Sequence, residues 1–239
     1  TNVLNIPIKN IQEGSIEIEA FSNVNLRIPY AAVMAVYETN CSVSMVHSYS
    51  RNHSLIELED KKSITEGRES CWTVRCNKSI KNVAIFHNGH HNVSSQTAKL
   101  ILTNIKGKDK VVEFCIPDLL PFETVIFDIS KICTNFREHL LYHDGWATIH
   151  FNNNSSFTRM LITWMNDENK DFQVTHSNFD YSEHKTNHIK SEVPAYMKIP
   201  SFENDIPITA VVYPKYSKGN YTVDINNEKK DFDTGLFIN

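Results

Sequence analysis

One unit is written twice along this chain, and a sequence that resembles itself at half its length is expected to fold as two similar pieces. Residues 13–57 read EGSIEIEAFSNVNLRIPYAAVMAVYETNCSVSMVHSYSRNHSLIE, and residues 144–188 read DGWATIHFNNNSSFTRMLITWMNDENKDFQVTHSNFDYSEHKTNH. Gly14 falls on Gly145, Ile18 on Ile149, and His47-Ser48 on His176-Ser177. Downstream, residues 69–72 meet 192–196, residues 84–87 meet 210–213, and residues 97–101 meet 222–225. The offset falls from 131 at Gly14/Gly145 to 125 at Thr97/Thr222, as short loop deletions would produce.

The local pattern says what each piece is made of. Short runs rich in Val, Ile, Thr and aromatic residues recur between turn signals, the composition that suits a pleated, half-buried surface. In the first half they fall at 3–8, 15–21, 31–37, 43–49, 71–76, 82–87, 97–103 and 111–116. In the second half they fall at 123–129, 147–151, 158–165, 172–178, 195–199, 208–213, 221–225 and 231–237. Within Phe172-Gln173-Val174-Thr175-His176 the odd and even residues address opposite faces, as in a strand. The connections are too short for crossover helices, so the strands pair antiparallel. The expectation is an all-β chain of two tandem antiparallel β-sandwiches, jelly-roll or immunoglobulin-like, related by internal duplication. Residues 1–118 form the first unit and 119–239 the second, with Pro117-Asp118-Leu119-Leu120-Pro121 as the junction. One short helix is expected at 135–143, capped by Asn135 with Glu138, with Phe136, Leu140 and His143 on one face and Gly145 as the stop.

Composition narrows the function classes. The chain has 239 residues, 41% hydrophobic and 22% charged, with a net charge of -4 that is interspersed along it. No basic face for nucleic acid is visible, and no apolar run approaches the length of a membrane span. The first residues, TNVLNIPIKN, lack a charged start followed by an apolar core, so no signal peptide is read. Cys41, Cys71, Cys76, Cys115 and Cys133 are odd in number and contain no C-x-x-C pair, which favours reduced thiols and a cytoplasmic setting. The sequons at Asn40, Asn52, Asn77, Asn92, Asn153, Asn154 and Asn220 pull toward secretion, but a chain this rich in Asn and Ser produces them by chance.

Histidine is the residue type to examine for chemistry. His87, His90 and His91 form the densest group and could offer imidazoles to a divalent metal, or simply decorate a polar Asn88-Gly89 turn. His139 and His143, and again His184 and His188, are spaced four apart, but the H-E-x-x-H pattern is missing. Nucleophile elbows, P-loops and dinucleotide fingerprints are missing as well, so no catalytic residue is assigned. Carboxylates are too common to pick out an acid–base pair, and Trp72, Trp146 and Trp164 read as packing residues.

His47-Ser48 and His176-Ser177 hold one place in both halves. Adjacent residues on a strand point to opposite faces, so neither pair is a hydrolase dyad. Each histidine reads either as satisfied by a backbone carbonyl or as a polar group at the mouth of its unit. In the second reading His47, Tyr49 and Arg51 from one half, and His176, Phe179 and Tyr181 from the other, supply aromatic faces and bidentate donors suited to a sugar ring.

The sequence therefore points to a non-catalytic binding or structural module for carbohydrate or a surface partner. Two other readings stand beside it: a metal-dependent enzyme using the 87–91 histidines, and a self-assembling surface or virion protein whose edge strands pair with other copies. No cofactor is implied beyond that metal.

Overall fold

The computed structural model describes residues 23, 32–49, 68–89, 91–152 and 159–180, with strand pieces at 210–211, 221–225, 228–232 and 237–238. The runs expected at 3–8, 15–21 and 195–199 lie outside the described residues. What is described is mostly β, in antiparallel sheets. In chain order the strands are β1 (Ala32–Glu38), β2 (Val43–Tyr49), β3 (Arg68–Val74), β4 (Ile80–His87), β5 (Gln96–Thr103) and β6 (Asp109–Ile116). Then follow β7 (Thr124–Asp128), β8 (Gly145–His150), β9 (Leu161–Asn166), β10 (Phe172–His176) and β11 (Asn178–Asp180). Four short strands close the list: β12 (Ala210–Val211), β13 (Tyr221–Ile225), β14 (Glu228–Phe232) and β15 (Phe237–Ile238).

Two larger sheets carry the core. One has the order β11-β3-β8-β5-β6 and the other β10-β9-β4-β7, while β1-β2, β12-β15 and β13-β14 are two-stranded. Period-two patterning sets which side chains face in. On β5, Ala98, Leu100 and Leu102 are fully buried while Thr97 and Lys99 point outward. They join Trp72 and Val74 of β3 and Ala147 and Ile149 of β8 in one apolar cluster with Ala84 and Phe86 of β4, Phe127 of β7 and Ile162 of β9. Each buried Leu, Ile or Phe contributes about 1.5–3 kcal/mol, so the cluster common to both sheets dominates stability. Two polar contacts tie the sheets in register. The Asn82 amide on β4 accepts from Arg75 N at 2.7 Å and donates to Arg75 O at 2.8 Å, and Trp164 Nε1 on β9 donates to Thr73 O at 3.0 Å.

The boundary expected between residues 118 and 119 runs through both sheets. β8 lies between β3 and β5, and β4 lies between β7 and β9. Strands from either side of the boundary are hydrogen-bonded neighbours, so units 1–118 and 119–239 do not separate there.

The helix expected at 135–143 is present as a single turn, α2 (Phe136–His139), preceded by another single turn, α1 (Ile129–Ile132). α1 starts because Asp128 Oδ1 accepts from Ser130 N and from Ser130 Oγ. Asn135 makes no side-chain cap, and the chain leaves the helix at Leu141 and Tyr142, both with positive φ. Phe136 and Leu140 are buried as expected, but His143 is exposed and does not share their face. Gly145 is needed for proximity: a Cβ there would stand 2.6 Å from Thr103 O, on the neighbouring strand. All five thiols are free. Cys41 and Cys115 are exposed, and Cys71, Cys76 and Cys133 are buried. Burial pushes the Cys76 thiol above its ordinary range, with Arg137 opposing and Asp144 reinforcing the shift.

The β1-β2 hairpin docks on the edge of the four-stranded sheet in an unusual way. β10 pairs with β9 on one side, which leaves its other row of backbone groups to be satisfied. Serine hydroxyls just before and on β2 do part of this. Ser44 Oγ accepts from Val174 N at 2.8 Å and reaches Val174 O at 3.4 Å, and Ser42 Oγ lies 3.3 Å from both Phe172 N and Phe172 O. Tyr37 adds an edge-on contact with Phe172 at 5.9 Å between ring centres. Ser44→Ala is therefore expected to lower stability by about 1–3 kcal/mol, the cost of leaving a strand N–H without its acceptor, read as a shift of the urea midpoint at unchanged slope. Burial also raises the Tyr37 phenol above 10.0. The undocked phenol ionises first, so its contribution is fully present below about pH 10 and fades as pH rises through the raised value. Stability curves of wild type and Tyr37→Phe should run parallel to pH 9 and diverge above 10, with the wild type falling faster.

Candidate functional site

The side-chain contact of β2 with β10 has a direct consequence at its far end. Ser42 meets Phe172 and Ser44 meets Val174, each 130 residues apart, so the two strands run parallel and reach the same end of the molecule together. There the His47 and His176 rings stand 4.9 Å apart, at 74° to each other. The two histidines read as matching positions in separate units are neighbours in space.

Their surroundings differ. His176 is half-buried, and its Nδ1 lies 2.7 Å from Ser177 O, a contact that places the proton on Nδ1. His47 is exposed. Ser177 is fully buried and works as a staple: its Oγ accepts from Met160 N at 2.8 Å, and its own N donates to Met160 O at 2.9 Å. Past Ser177 the chain leaves the four-stranded sheet, and β11 pairs with β3 in the other. Tyr49 ends β2, and Phe179 lies in β11 opposite Glu69. Arg51 and Tyr181 lie outside the described residues.

Beside His47 lies a face that the sequence did not mark as a site. Directly opposed residues of an antiparallel pair share a face, and here the pairs are Met34/His47, Val36/Met45 and Glu38/Val43. Met34, Val36, Val43 and Met45 are 53%, 61%, 66% and 58% exposed, an apolar set that burial would normally hide. The opposite face of the hairpin holds Tyr37, Ser44 and the buried Val46. The signal was present in Ala32-Val33-Met34-Ala35-Val36-Tyr37, which is apolar on both faces, whereas a strand with one face in water alternates.

The remaining histidines are placed separately. His87 is exposed, with Nδ1 3.2 Å from Thr124 Oγ1 and its ring over Phe122 at 6.4 Å. The loop after it is organised by buried Asn88, whose Nδ2 donates to His91 O at 2.7 Å and Leu120 O at 2.8 Å. His90 lies outside the described residues, as do His184 and His188. His139 Nε2 is 3.0 Å from Leu102 O, while His143 is exposed. Among the described residues no three His, Cys, Asp or Glu side chains are grouped to hold an ion. A shallow cleft of about 270 Å³ is lined by Val93, Ser94, Ser95, Gln96 and Asn152, without a charged side chain. No helix among the described residues is long and apolar enough to cross a membrane.

Ser177→Ala should cost about 1–3 kcal/mol by leaving the Met160 N–H buried without its acceptor. The measurement is urea unfolding; a loss confined to a few tenths would show that the hydroxyl is not what holds the end of β10.

Comparison with known proteins adds no identity to this geometry: no family model, no curated protein and no solved structure matches the chain.

Proposed function

We propose that the chain is a non-catalytic binding module, built as an antiparallel β-sandwich, that meets a protein surface through the outer face of its β1-β2 hairpin. The observation that carries this is the exposure of Met34, Val36, Val43 and Met45 side by side on one face of two paired strands. Contiguous apolar surface of this kind is costly in water and is retained where a partner covers it. A protein partner suits it better than a sugar. Sugar rings select aromatic faces flanked by bidentate polar groups, and the exposed set is thioether and branched alkyl with Glu38 at its rim.

The sandwich reading is supported by the single apolar cluster that both larger sheets enter. The duplication is supported by two corresponding hairpins: β1-β2 answers to β9-β10, and β5-β6 to β13-β14, each antiparallel.

The test presents the purified chain and its Val36→Asp/Val43→Asp variant to arrays of proteins and of glycans. Specific protein binding that the variant weakens at least tenfold, with its thermal midpoint unchanged, is the expected result. Glycan binding that survives the variant and disappears with His47→Ala would replace the protein partner by a sugar. Protein binding equal in wild type and variant would overturn the assignment of this face.

A further inference from the structure

We propose that His47 and His176, with Met34, form a site for a soft transition-metal ion, copper(I) by preference, at the end of the β2–β10 contact. The two ring centres are 4.9 Å apart, and with metal–nitrogen bonds of about 2.0–2.1 Å an ion would stand about 3 Å from each centre, at an angle of about 100°, close to tetrahedral. His176 is already held as metal-binding histidines are: Nδ1 bonded to a backbone carbonyl fixes the ring and leaves Nε2 with the lone pair.

The third ligand follows from register. Met34 is the cross-strand partner of His47, and side chains of opposed residues start about 4.5–5.5 Å apart. Met34 is 53% exposed, and Met45, two residues before His47 on the same face, is 58% exposed. Thioether sulfur favours copper(I) and imidazole accepts copper, zinc and nickel, so the ion that suits both donor types is copper. Binding would join strands that otherwise meet through Ser42 and Ser44 hydroxyls, and would add stability in proportion to occupancy.

The test uses the whole chain carrying Cys41→Ser and Cys115→Ser, because exposed thiols compete for the same ion. Anaerobic titration with copper(I) against a chromophoric chelator should show one equivalent bound. His47→Ala and His176→Gln should each weaken it at least tenfold, and Met34→Leu should weaken copper(I) more than zinc. Silver(I) added to protein with 13C-methyl methionine should shift the Met34 resonance at one equivalent, a readout that holds even if His176→Gln folds poorly. Copper(I) uptake unaffected by His47→Ala, or a Met34 resonance that does not move with silver, would overturn the site.

Discussion

The backbone edge of β10 is the constraint from which the site follows. A strand paired on one side must satisfy its other row of amides and carbonyls or bear the cost of burying them. Here Ser42 and Ser44 present hydroxyls, each able to accept from an N–H and donate to a carbonyl, where another strand would present peptide groups. A hydroxyl on every second residue matches the two-residue repeat of the strand it faces. That match sets β2 parallel to β10 and brings His47 to His176. It also commits the inner face of the hairpin to the sheet, which leaves Met34, Val36, Val43 and Met45 on the outer face.

This contact rests on a body that is stable for other reasons. The common core of the two larger sheets supplies most of the free energy, and Asn82 and Trp164 fix how the sheets lie over one another. Asn82 is placed where only a complete set of partners makes burial tolerable: both its amide functions are used on the peptide groups of Arg75. Ser177 applies the same rule to Met160 at the end of β10. Without that anchor the position of His176 would not be set.

Much of the secondary structure was legible because it depends on local alternation. The expected runs at 43–49 and 221–225 coincide with β2 and β13, and those at 97–103 and 111–116 are one or two residues short of β5 and β6. The helix expected at 135–143 forms only over Phe136–His139, for a local reason that spacing does not encode, the left-handed turn at Leu141 and Tyr142. Pairing order was not legible at all. Placing β8 between β3 and β5 is decided by contacts far apart in the chain, and the prolines at 117 and 121 mark a loop between strands of one body rather than a linker. Of the candidate site, the residues His47 and His176 were found, but as separate equivalents. The exposed face was missed because apolar residues on both sides of a strand read as deep burial.

The contact between those two histidines bears on the proposed duplication. When two copies of a unit pack about a two-fold axis, the residues that touch their own counterparts are those lying on the axis. Along β2 and β10 the contacts run 42 to 172, 44 to 174 and 47 to 176, which is nearly the offset that aligns the two halves by sequence. Equivalent strands side by side and parallel are what a pseudo-two-fold axis along the strand direction produces. On this reading the seam is where the copies had to diverge. Hydroxyls stand just before and on β2 at 42 and 44, while β10 offers its backbone at Phe172 and Val174. If the halves are copies, His47 and His176 keep matching places where β2 and β10 touch, and that contact is where to look for what the protein holds.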